Sequence, residues 1–71
     1  MTPEAKVIKE LQTRENLMFG APTYNRLRIV TGFANDSKVA DLLARLENEG
    51  IIERHGQGAC NVRLTEKGRA A

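Results

Sequence analysis

The sequence predicts a small α+β domain in which three helices are followed by a two-stranded β-hairpin. Three observations predict it. Apolar residues recur at helical spacing between Val7 and Leu46, and each candidate helix is preceded by a side chain able to cap it. After Gly50 the period changes to the alternation of a half-buried strand. Two glycines, Gly56 and Gly58, lie between two short apolar segments, the signature of a hairpin loop.

Thr2-Pro3-Glu4 is a helix start: Thr as N-cap, Pro where a missing N–H costs nothing, and a carboxylate facing the positive end of the helix dipole. Val7, Ile8 and Leu11 give this first helix, over about residues 3–16, its inward stripe. Leu17, Met18 and Phe19 follow without a clear period. Their apolar character places them in the core, with exposure for self-association as the alternative. Gly20-Ala21-Pro22 breaks the pattern, because Pro22 biases Ala21 to extended backbone. Thr23 caps a second helix over about residues 24–31, with Leu27 and Val30 inward. Gly32 ends it and Phe33 returns to the core, which makes Gly32 to Asn35 a tight turn between two helices.

The third helix, over about residues 36–49, is the most regular. Val39, Leu42, Leu43 and Leu46 fall at i, i+3, i+4 and i+7 on one apolar face. Asn35, Asp36 and Ser37 can each cap its start, and Gly50 suits the positive φ that follows a last helical turn. Lys38, Asp41, Arg45 and Asn48 lie on the opposite face. The hairpin spans about residues 51–65. Ile51 to Arg54 forms one strand, and Cys60 to Thr65 the other, with Cys60, Val62 and Leu64 inward and Asn61, Arg63 and Thr65 outward. A hairpin alone is marginal, so it must dock on the helices, with Ile52, Val62 and Leu64 in the shared core. From Glu66 the chain is polar and small and is expected to fray. With no linker or repeat, residues 1–71 read as a single domain.

Helix, helix, turn, helix, strand, loop, strand is the order of a small winged helix-turn-helix, in which the third helix recognises DNA and the hairpin is the wing. Particular stretches add a resemblance. Pro22-Thr23, Gly32-Phe33, Gly50-Ile51-Ile52-Glu53 and Val62-Arg63-Leu64 are similar to the DNA-binding domain of LexA-type SOS repressors, without a gap from Pro22 to Leu64. Leu64-Thr65-Glu66-Lys67-Gly68-Arg69 resembles the end of the wing in MarR-type regulators. Two departures stand out. The residue after the inward Leu27 is usually small in such motifs and here is Arg28, whose stem must lean out of the helix–helix contact. The self-cleaving peptidase domain of LexA-type repressors has no counterpart in these residues, as in an isolated domain or a stand-alone protein of the kind prophages carry.

The resemblance implies sequence-specific binding to double-stranded DNA by a small transcriptional regulator, repressor-like, or a phage-type accessory factor. The major groove admits one α-helix. Carried over by position, Asn35, Ser37, Lys38, Asp41 and Arg45 would face that groove. Thr23 and Tyr24 would meet phosphates from the start of the second helix, and Arg54, His55, Gln57 and Arg63 form the wing set. A lone module touches few phosphates, so a homodimer or larger assembly is expected. The rival reading is a winged helix that binds protein and not DNA. It would use the recognition helix or the Leu17–Phe19 cluster, with Glu47, Glu49 and Glu53 as an acidic patch. Asp36 and Asp41 dilute the positive field of the recognition face, and Lys38–Asp41 or Asp41–Arg45 can equally be solvated helical pairs.

Composition narrows the classes. The chain has 71 residues, 41% hydrophobic and 28% charged, with a net charge of +2, which is ordinary for one small folded domain. The charge is unevenly spread: Arg54, Arg63, Lys67 and Arg69 face only Glu66 in the last quarter. The single Cys60 excludes an internal disulfide, and one Cys with one His cannot complete the usual zinc ligand sets, so a reducing cytoplasm is expected. No apolar run approaches the ~18 residues of a membrane span, and no signal-peptide pattern opens the chain. No nucleophile–His–carboxylate set and no phosphate-cradling loop is present. An enzyme is not expected, nor a cofactor, a metal or a small-molecule ligand.

Overall fold

Three short polar side chains set where the helices begin. Thr2 Oγ1 accepts from the Ala5 N–H at 3.2 Å, Thr23 Oγ1 from the Arg26 N–H at 3.2 Å, and Asn35 Oδ1 from the Lys38 N–H at 3.1 Å. Each such cap contributes about 0.5–2 kcal/mol. In the computed structural model, which describes residues 1–55 and 62–70, they open α1 (Pro3–Asn16), α2 (Tyr24–Thr31) and α3 (Asp36–Asn48). The strands β1 (Ile52–Arg54) and β2 (Val62–Leu64) follow, and then a fourth helix, α4 (Glu66–Ala70). The chain is α+β, a winged helix-turn-helix with one short helix added. Gln57, Cys60 and Asn61 lie outside the described residues.

α2 packs on both α1 and α3, while β1 leans on α3 and β2 on α1. The strands are antiparallel, with Ile52 opposite Leu64, Glu53 opposite Arg63 and Arg54 opposite Val62. That register points Ile52, Val62 and Leu64 inward, where they join Val7, Leu11, Leu27, Val39, Leu42, Leu43 and Leu46 in one buried cluster. Ile51 joins the core as well. Ile8 and Phe33, expected inside, are half-buried against it, and Val30 is only half-buried. The cause for Val30 is visible in α2: Leu27 and Thr31 take its buried positions, and the Thr31 hydroxyl is satisfied by donating to the Leu27 carbonyl at 2.7 Å.

Two expectations are corrected. The segment from Glu66 does not fray, because tertiary contacts hold it as α4. The Thr65 hydroxyl accepts from the Gly68 N–H at 3.2 Å, the Lys67 ammonium donates to the Glu49 carbonyl at 2.8 Å, and Arg69 makes a two-pronged pair with Glu15 of α1 at 3.0 Å. The second correction concerns Leu17, Met18 and Phe19, which are 56%, 92% and 62% exposed. The end of α1 aims them outward: the Phe19 N–H bonds the Arg14 carbonyl at 2.8 Å and the Met18 N–H the Glu15 carbonyl at 3.1 Å. This is the Schellman closure, which requires a left-handed residue, and here that residue is Met18 at φ +58°. The end of α3 closes in the same way, with Ile51 to Leu46 at 2.9 Å and Gly50 to Glu47 at 3.0 Å, and there the left-handed residue is Gly50.

Candidate nucleic-acid interface

The amphipathic pattern of α3 dictates its outer face. With Val39, Leu42, Leu43 and Leu46 buried, Ser37, Lys38, Asp41 and Arg45 are left exposed on the helix, and Asn35 is exposed at its cap. Asn35 is committed in part, since its Oδ1 holds the Lys38 N–H. Lys38 makes no ion pair among the described residues. Arg45 does: its guanidinium is paired with the carboxylate of Glu4 in the first turn of α1. Asp41 joins neither neighbour, so neither helical pair expected for it forms.

The start of α2 and the root of the wing come together. Tyr24 is half-buried, and its hydroxyl accepts from Arg54 Nη2 at 3.4 Å, which ties β1 to the N-terminus of α2. Thr23 beside it is exposed; its oxygen accepts from the Arg26 N–H as a cap, and its own hydroxyl proton is left to donate. Arg63 projects from the outward side of β2 and makes no ion pair among the described residues. His55 is exposed, with Nε2 3.3 Å from the Glu53 carboxylate.

Arg28 adjoins this face and was not among the residues expected there. Its Nη2 donates to Asn25 Oδ1 at 2.8 Å, and its Nε lies 3.4 Å from Asp36 Oδ1, a charge contact without the alignment of a hydrogen bond. The side chain thus spans from α2 to the first turn of α3. The available signal was the one already noted: a long cation where such motifs place a small residue.

Behind the face, Glu10 of α1 ties that helix to α2. Its carboxylate receives Arg14 at 2.7 Å and Arg26 at 3.1 and 3.3 Å. The hydrogen-bonded Arg26, with Arg14, holds the Glu10 carboxyl below its ordinary value against the opposing effect of partial burial. The same pairing raises Arg26, and the Glu15 pair raises Arg69. Among the described residues no group of three His, Cys, Asp or Glu is placed to hold a metal ion, and no helix is long and apolar enough to cross a membrane. No protein-family model, characterised protein or solved structure significantly matches the chain.

Proposed function

We propose that this protein binds double-stranded DNA sequence-specifically, with α3 in the major groove and the wing against the flanking backbone, as a small transcriptional regulator or accessory factor of a reducing cytoplasm. The observation that carries the reading is the outer face of α3. A row of exposed polar side chains, with Lys38 in no ion pair among the described residues, stands opposite four buried apolar residues and follows a tight turn from α2. Lys38 is the first candidate for base readout, because an unpaired ammonium reaches guanine acceptors without first losing a partner. Arg45 must leave Glu4 before it can do the same. Thr23, Tyr24 and Arg54 gather at one corner as a backbone contact, and Arg63, in no ion pair among the described residues, adds a cation on the wing.

The test is selection of bound fragments from random DNA, repeated at two salt concentrations. The reading expects an enriched sequence and an affinity that falls steeply with salt through counterion release. Lys38→Ala should cost about 1–3 kcal/mol on the preferred site and relax selection at one position. Arg63→Ala should weaken all sequences alike and flatten the salt slope. A chain tethered as a dimer that still shows no salt-sensitive binding would leave the protein-binding reading in its place.

A further inference from the structure

We propose that the turn between α1 and α2, with the groove beside it, docks a segment of a partner protein that carries apolar side chains beside a carboxylate. This surface is separate from the outer face of α3 and goes beyond the DNA reading.

The first observation is a cost. α1 and α3 end in the same closure, and the left-handed position is Gly50 in one and Met18 in the other. An L side chain in that conformation costs roughly 1 kcal/mol that glycine avoids. Burial does not repay it, since Met18 is 92% exposed. Leu17 and Phe19 on either side are also more than half exposed, so three consecutive large apolar side chains stand out from one rigid turn. Arg14 stiffens that turn by donating from Nη1 to the Gly20 carbonyl at 3.0 Å.

The second observation is the groove that Met18 and Phe19 border. It runs from the end of α1 to β2, has Val62 and Leu64 along its floor, and no residue of α3 lines it. Its charged edge selects the occupant. Arg14 is spent on Glu10 and Arg69 on Glu15, which leaves Arg63, opposite Glu53 across the strands but in no ion pair among the described residues, as the basic group along the groove. A second copy seated symmetrically would bring its own Arg63 toward the first, which repulsion disfavours. Nucleic acid offers the carboxylate's charge but nothing to cover Leu17, Met18 and Phe19. A peptide segment with apolar side chains and an Asp or Glu satisfies both.

Selection of short random peptides on the full chain, followed by calorimetric titration of those enriched, tests this. Enriched peptides should combine apolar residues with Asp or Glu. Met18→Gly should weaken them about tenfold, as expected for a central interface residue. The same variant should melt at an equal or higher temperature, because glycine relaxes the left-handed turn, so lost binding cannot be blamed on unfolding. Phe19→Ser should weaken the same peptides. The proposal is overturned if nothing is enriched, if the peptides lack carboxylates, or if Met18→Gly binds them as well as the parent. DNA binding enters none of these readouts, so either reading can fail without the other.

Discussion

Gly68 is where one added methyl group has the most to displace. A Cβ there would stand 2.2 Å from the Ile51 carbonyl oxygen and 2.9 Å from the Leu64 side chain. The carbonyl cannot swing away, because it also accepts the Thr65 N–H at 3.0 Å and lies 3.1 Å from the Thr65 hydroxyl. In an ordinary helix interior, Gly→Ala stabilises by about 1 kcal/mol. Here overpacking against backbone outweighs that gain, and Gly68→Ala should cost about 1–2 kcal/mol net. A thermal melt that rose would show that α4 can shift away from the Ile51 carbonyl and β2 without loss. Leu43, fully buried, tests the core in the same assay: Leu43→Ala should cost about 2–5 kcal/mol through the cavity it leaves.

At the scale of elements, the pair between Glu4 and Arg45 links the start of α1 to the last turns of α3. Glu4→Gln should release Arg45 without disturbing the core. If α3 lies in the major groove, DNA affinity should then rise and the salt slope steepen by about one phosphate contact. Unchanged binding would place Arg45 outside the interface. Helix starts were legible in the sequence because a cap is local: Thr2, Thr23 and Asn35 each sit three residues before the N–H they hold. So was the inward face of α3, whose four apolar residues need only the helical period. The pairing of Arg45 with Glu4 was not legible, since its partners belong to distant turns and no spacing rule joins them. α4 escaped for a related reason: five residues with a central glycine have little helical tendency alone, and it exists through Thr65, Glu15 and the Ile51 carbonyl. Leu17 to Phe19 misled because apolar character speaks for burial, whereas the hydrogen bonds closing α1 decide direction.

For the whole molecule, Glu10 gives stability a direction in pH. Its folded value lies below the ordinary 4.5, so its stabilisation is complete above that value and is lost as pH falls through the lowered one. Glu10→Gln should therefore lower the melting temperature at neutral pH and reduce the further drop on acidification, measured by melts across that range. Equal acid sensitivity in both proteins would assign the loss to other carboxylates. The docking of α4 on α1 has a consequence for the closing of the fold. Gln12 donates toward the Gly68 carbonyl at 3.4 Å and Glu15 pairs with Arg69, so α4 docks on a helix 54 to 56 residues earlier in the chain. A chain cut after Leu64 has every helix of the turn motif yet lacks this clasp. It should be cleaved by protease faster than the chain that carries α4, which makes the docking of that helix the step that closes the domain.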